Sequence, residues 1–136
     1  MTRTYITAFI ATAVAFLAID SVWLSVMASR LYRPLLGDLL AADFDVTAAA
    51  LFYLLYVSGI VYFAVRPALA SRRLTTAALS GGFFGLCAYG TYDLTNQATL
   101  VNWPTIITVA DLVWGTFLTA SAATVGTLAA RRLAAT

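Results

Sequence analysis

Four long apolar stretches alternate with short polar ones along the chain. They cover approximately residues 5–28, 46–65, 75–94 and 104–128. Each is long enough to cross about 30 Å of hydrocarbon as an α-helix that rises about 1.5 Å per residue. The pattern predicts an all-α integral membrane protein, with residues 1–136 forming one domain built as a bundle of four transmembrane helices.

The arginines set the predicted orientation of this bundle. Six of the eight basic residues lie before the first stretch, between the second and third, or after the fourth: Arg3, Arg66, Arg72, Arg73, Arg131 and Arg132. The first loop has Arg30 and Arg33 beside three aspartates, and the third loop has no basic residue. By the positive-inside rule, both termini and the middle loop are expected in the cytoplasm. The net charge of +2 therefore indicates topology and not a nucleic-acid surface.

The first loop is the longest connection. Its leucines recur at helix-like spacing around Pro34 and Gly37, which fits a short helix at the outer membrane interface and equally an ordinary, partly apolar loop. Asp43 or Asp45 is expected to cap the N-terminus of the second helix. Pro67 is expected to end that helix, because proline lacks the backbone N–H and clashes with the preceding turn.

Composition narrows the chemistry further. Hydrophobic residues make up 62% of the chain and charged residues 10%, whereas soluble domains have roughly 45–50% and about 25%. The single cysteine, Cys87, cannot form an internal disulfide. With no histidine in the chain, haem and zinc sites are not expected, and no cofactor is predicted beyond a candidate divalent cation.

Three carboxylates, Asp20, Asp93 and Asp111, lie in or at the edge of the apolar stretches. A carboxylate at this depth is costly unless it is partnered, faces water or is protonated. The predicted topology places all three toward the outer leaflet, with Asp20 and Asp111 at matching depth on antiparallel helices. Tyr89 and Asn96 share a helix face with Asp93, because they lie four residues before and three after it.

Two tryptophans complete the predicted pocket, since Trp23 and Trp114 each follow an aspartate by three residues. We therefore expect an outward-open polar pocket that these two indoles wall. The side chains expected to line it are Asp20, Tyr89, Asp93, Asn96 and Asp111.

Several functions fit such a pocket. Intramembrane acids often mark ion or substrate paths, so the leading interpretation is binding or translocation of a cation, a proton or a small polar solute. Two facing carboxylates would share a proton. Alternatively, the aspartates only hydrogen-bond neighbouring helices, an effect worth roughly 0.6–2 kcal/mol per contact.

A metal-dependent enzyme acting on a membrane lipid is a further alternative. Carboxylate and amide oxygens suit hard divalent cations, and Asp20, Asp93 and Asp111 are the candidate metal ligands. The chain lacks a histidine box, an aspartate-rich diphosphate motif and a nucleophile elbow, so no catalytic residue is predicted and a role other than catalysis is favoured.

The expected partners follow from the same features. The lipid bilayer is the first, and nucleic acid is not expected. Gly81-x-x-x-Gly85 predicts close helix packing, either within the bundle or between the protomers of a homo-oligomer. An accessory role in a larger membrane complex is the remaining alternative.

Motifs around the aspartates resemble those of a known family. They are Phe16-Leu17-x-x-Asp20-x-x-Trp23-Leu24, Tyr89-Gly90-Thr91-Tyr92-Asp93-Leu94-Thr95-Asn96 and Asp111-x-x-Trp114-Gly115. In order and spacing, over nearly the whole chain, they resemble the bacterial membrane protein family named domain of unknown function 2177. The resemblance implies a small four-helix protein of the bacterial inner membrane and adds Tyr92 to the pocket residues, but it implies no reaction, ligand or partner.

Overall fold

The structure, a computed structural model, describes residues 2–135, and its regular elements are all helical. Helix α1 (Thr2–Met27) continues through a π-helical turn (Ala28–Tyr32) into α2 (Arg33–Leu36) and a 3-10 turn (Gly37–Leu39). Helix α3 (Val46–Ile60) likewise continues through a π-helical turn (Val61–Val65) into α4 (Arg66–Ser71). Helices α5 (Leu74–Thr99) and α6 (Thr105–Ala135) complete the described chain. The predicted all-α architecture is confirmed.

Three helical stretches are long and apolar enough to cross a membrane, judged by length and composition. They are Thr2–Leu39, Val46–Ser71 and Thr105–Ala134. Helix α5 has 26 residues and is long enough, but glycine, threonine and tyrosine dilute its apolar content. The structure thus supports three of the four predicted spans on these criteria.

Two prolines lie inside continuous helical stretches, and for Pro67 this is contrary to the expectation that it ends the second helix. Pro34 lies in the first turn of α2 and Pro67 in the first turn of α4, and each comes shortly after a five-residue π-helical turn. A wider turn just before a proline relieves the clash of its ring with the preceding carbonyl groups. Of the two alternatives for the first loop, the structure has the short helix, α2, which continues from α1 through the π-helical turn instead of standing alone.

The predicted cap of the second long helix is present. Asp45 is the N-cap residue of α3, and its Oδ1 accepts a hydrogen bond from the backbone N–H of Ala48 at 2.9 Å. Asp43 does not occupy this position, so of the two candidate caps only Asp45 is confirmed.

Helix α6 is the centre of the packing, with α5 on one side and α1 on another. Gly81 and Gly85 of α5 are buried against it, and a Cβ at Gly85 would collide with the carbonyl oxygen of Gly115. The glycine motif therefore brings α5 and α6 together within one chain. This face is already covered, so the predicted homo-oligomer cannot use it without opening the α5–α6 contact.

The rest of the core is made of small and aromatic side chains. Phe16, Tyr56, Ile60 and Leu118 are the large buried members, and alanines fill most of the remaining positions. The Tyr56 hydroxyl forms a hydrogen bond with the Thr119 hydroxyl at 2.8 Å, which satisfies both groups inside the core. This packing holds α1, α3, α5 and α6 in fixed positions around the site described below.

Candidate functional site

A cavity of about 390 Å³ lies between the long helices, beside the π-helical turn that follows α1. Seven of its eleven lining side chains are aromatic, and two are aspartates. The lining residues are Asp20, Trp23, Leu24, Tyr32, Phe52, Tyr53, Ala88, Tyr89, Tyr92, Asp111 and Trp114. None of these described lining residues is basic, so the carboxylates have no counter-ion in the cavity wall.

Asp20 is held by donors from two other helices. Its side chain is only 6% exposed. The Tyr53 hydroxyl of α3 donates to Oδ2 at 2.8 Å, and the Trp114 indole N–H of α6 donates to Oδ1 at 3.2 Å. Asp20 therefore links α1 to α3 and α6 through two neutral donors.

Asp111 is held by a residue from the extension of α1. It is 7% exposed, and the Tyr32 hydroxyl donates a hydrogen bond to its Oδ1. Trp23 in turn donates its indole N–H to the Tyr32 oxygen at 2.9 Å. The Trp23 ring stacks on Trp114 with centroids 4.3 Å apart and planes 9° from parallel. The groups that hold the two aspartates are thus packed on each other.

Asp93 lies behind Asp111 and does not line the cavity. Its side chain is fully buried, and its carboxyl group interacts with that of Asp111. Among the described residues, no group donates a hydrogen bond to either Asp93 oxygen. Two adjacent buried carboxylates repel each other, and Asp93 has no donor of its own, so a proton held between the pair lowers the cost of burying them. The structure therefore pairs Asp93 with Asp111 and separates it from the cavity.

The remaining predicted residues are divided between the cavity and its edge. The Tyr89 ring lies over Gly115, at a place where a Cβ on residue 115 would overlap the ring. Tyr92 lines the cavity with 58% of its side chain exposed, and its ring packs edge-on against Trp103 at 5.8 Å. Asn96 interacts with the Tyr92 hydroxyl and does not line the cavity, contrary to expectation, because it lies one turn farther along α5.

Two hydroxyl donors at the aspartates were not among the predicted site residues. Tyr53 lies in the second apolar stretch, where aromatic packing is the more common use of a tyrosine, so its position alone does not mark it as a donor. Tyr32 follows Arg30 and precedes Arg33 and Pro34, a setting typical of a loop at the membrane surface. No sequence signal marks the continuation of the helix through the π-helical turn, which brings Tyr32 to Asp111.

The aspartates are not arranged as a metal centre. Across residues 2–135, no group of three or more histidine, cysteine or acidic side chains is placed to hold a metal ion. Both Asp20 oxygens already accept hydrogen bonds, and Asp93 is directed to Asp111 and not to the cavity. The three candidate ligands therefore do not converge on one point.

Comparison with known proteins identifies a family and no activity. Residues 5–128 match the family described as "Predicted membrane protein (DUF2177)". No curated protein and no solved structure matches the chain. The matched range includes every residue that lines the cavity.

Proposed function

Since the chain belongs to the DUF2177 family of membrane proteins, we propose that it binds a small cation in the aromatic cavity beside Asp20 and Asp111. The observation that carries this proposal is the uncompensated charge of the cavity wall. Among the described residues, the hydrogen-bond donors to these two carboxylates are neutral hydroxyl and indole groups, and no lining residue is basic. A cation in the cavity would supply the positive counter-charge that these buried carboxylates do not receive from the protein.

The proposal includes the topology of the chain. Helix α5 is the fourth membrane span, both termini are cytoplasmic, and the cavity faces the outside. Helix α5 packs along α6, which supports its place within the membrane. The guanidinium of Arg131 donates to the carbonyl oxygen of Ala68 at 3.2 Å, so the arginines after α6 lie at the same end as those around α4. That clustering is what the positive-inside rule expects of one cytoplasmic face.

Labelling of single cysteines tests this topology. In a chain with Cys87→Ser, Asp38→Cys in the first loop is expected to react with a membrane-impermeant maleimide in intact cells. Ser71→Cys at the end of α4 is expected to react only after the membrane is permeabilised. The reverse pattern, or equal labelling of both positions in intact cells, would contradict the topology.

Cation binding is tested by titrating the purified protein in lipid nanodiscs while following tryptophan fluorescence. Trp23 and Trp114 are in the cavity wall, so an occupant changes their surroundings. Inorganic and organic cations are expected to produce a saturable change, and Asp20→Asn and Asp111→Asn are expected to need much higher cation concentrations to reach it. Asp38→Asn is the matched control, because it removes the same charge outside the cavity. Identical titrations for all these proteins would refute the proposal.

A further inference from the structure

The size of the cavity separates the classes of cation that it suits. Its volume of about 390 Å³ lies within the range of about 300–1,000 Å³ that is typical of sites for small organic molecules. A bare metal ion or proton would leave nearly all of this volume unfilled. A hydrated ion would place its water shell against a wall made mainly of aromatic rings. The volume therefore favours a ligand that combines a positive charge with apolar groups.

The hydrogen-bonding groups in the cavity wall favour the same class of ligand. The hydroxyls of Tyr32 and Tyr53 and the indole N–H of Trp114 all donate to the aspartates, and the Trp23 N–H donates to Tyr32. These donors are occupied, so apart from the Tyr89 and Tyr92 hydroxyls a ligand meets acceptor oxygens and aromatic faces. An anion or a neutral acceptor therefore has few hydrogen-bond donors to bind, whereas a positively charged N–H donor can bind both the carboxylate oxygens and the ring faces.

Aromatic rings also stabilise a cation directly. A cation within about 6 Å of a ring face gains roughly 0.5–2 kcal/mol from the electron density of the ring. Trp23 and Trp114 use one face each in their mutual stack, but Phe52, Tyr53 and Tyr89 add further rings to the wall. Organic ammonium ligands use this interaction in aromatic sites, because their N–H or N–CH₃ surface is in contact with the ring without water between them.

The cavity does not offer the set of oxygen ligands that a metal ion needs. Hard divalent cations need about six oxygen ligands around one point. The described residues hold no group of three or more acidic, histidine or cysteine side chains arranged for a metal.

We propose that the ligand is a small organic ammonium ion, with its charged nitrogen near Asp20 and Asp111 and its carbon groups against the aromatic wall. This inference rests on the proposed function and narrows it to one class of ligand. It also assigns Phe52 to ligand recognition, although its sequence context shows only an apolar residue of the second helix.

The test is a comparison of matched probes on the full-length protein in nanodiscs of zwitterionic lipid. The probes are n-butylammonium, tetramethylammonium, the neutral n-butanol, the anion butyrate, and the chlorides of sodium and magnesium. Tryptophan fluorescence and isothermal titration calorimetry report binding. Saturable binding of the two ammonium ions is expected, with no binding of butanol or butyrate and weaker binding of the metal ions.

Two pairs of variants separate the charge from the rings. Asp20→Asn is expected to weaken ammonium binding by about 10- to 100-fold, which corresponds to one hydrogen bond to a charged group. Phe52→Leu is expected to weaken it by about 2- to 30-fold, as for one cation–π contact. Asp38→Asn and Phe63→Leu are the controls outside the cavity, and both should bind as the wild type does. Circular dichroism and size-exclusion chromatography show which variants remain folded.

The outcomes distinguish this inference from the proposed function. If sodium or magnesium binds at the site at least as tightly as the ammonium ions, and Phe52→Leu has no effect, the ammonium inference is wrong and cation binding stands. If butanol or butyrate binds as well as butylammonium, or if no probe binds, both proposals are wrong.

Discussion

Two glycines of α5 provide a direct test of the packing that supports the site. Gly82 and Gly85 are both buried against α6 and lie three residues apart. At Gly85, an added Cβ would collide with the Gly115 carbonyl oxygen and lie 2.8 Å from the Thr119 Cβ. At Gly82, the nearest atom would be a Thr116 methyl carbon at 3.5 Å, an ordinary van der Waals distance. Alanine is therefore expected to fit at Gly82 and not at Gly85.

The expected difference between the two variants follows from two opposing terms. Replacing glycine by alanine in a helix interior gains roughly 0.5–1 kcal/mol, and this gain is common to both positions. Overpacking costs about 1–3 kcal/mol, and only Gly85→Ala incurs it. The obstacle at Gly85 is a backbone carbonyl, which cannot rotate away as a side chain can. Gly85→Ala should therefore be about 1–3 kcal/mol less stable than Gly82→Ala.

The measurement is reversible unfolding in mixed micelles with increasing SDS, followed by far-ultraviolet circular dichroism. Gly82→Ala should be as stable as the wild type or more stable, and Gly85→Ala should unfold at a lower SDS fraction. If Gly85→Ala unfolds together with Gly82→Ala or later, the close α5–α6 contact described above is wrong. The cavity would then be in doubt as well, because Tyr89 packs on α6 at Gly115 within the same contact.

Three further predictions concern single polar groups. Tyr53→Phe removes one of the two donors to Asp20 and should lower the free energy of unfolding in SDS by about 1.5–3 kcal/mol, while an unchanged value would show that this bond is not formed. Asp93→Asn should abolish an infrared C=O band of a buried protonated carboxyl group, and persistence of the band would contradict the shared proton. Asp45→Ala should cost about 1 kcal/mol as the loss of an N-cap, with Asp43→Ala nearly neutral in the same SDS assay; equal effects would contradict the assignment of the cap.

The convergence of Asp20, Asp111, Trp23 and Trp114 could be predicted from sequence because it depends on regular geometry. In an uninterrupted helix, position along the axis follows from residue number at about 1.5 Å per residue. The arginines indicate which way each helix runs, so the depth of each aspartate follows by counting. The equal spacing from Asp20 to Trp23 and from Asp111 to Trp114 then places both indoles on the same side as the acids. The structure brings all four residues to one cavity.

The contribution of Tyr32 could not be predicted, because it depends on an irregular turn. A proline at position 34 is ordinarily a reason to end a helix before it. In the structure, the π-helical turn at Ala28–Tyr32 lets the chain continue as helix, and packing in three dimensions determines whether such a turn forms. The same device recurs before Pro67. A single sequence shows the proline but not the turn that accommodates it.

The placement of Asp93 shows that sharing a helix face with cavity residues does not by itself bring a side chain to the cavity. Residues Tyr89, Asp93 and Asn96 share one face of α5, as the spacing predicts, but they reach different surroundings because the face runs past the cavity. Tyr89 lines the cavity, Asp93 lies behind Asp111, and Asn96 interacts with Tyr92 at the edge of the cavity. Spacing thus predicts which residues share a face, whereas the crossing of α5 and α6 determines which of them contact the cavity.

The distribution of donors explains how the fold can retain acids in a cavity without a basic partner. Asp20 accepts hydrogen bonds from two neutral groups, and Asp111 accepts one from Tyr32 while it also interacts with Asp93. Neutral donors satisfy the oxygens, but they do not cancel the charge as an arginine would. An arginine in the wall would neutralise the acids permanently and leave no attraction for a second cation. Because tyrosine and tryptophan take its place, the carboxylate oxygens are hydrogen-bonded while their negative charge stays available to the proposed cation.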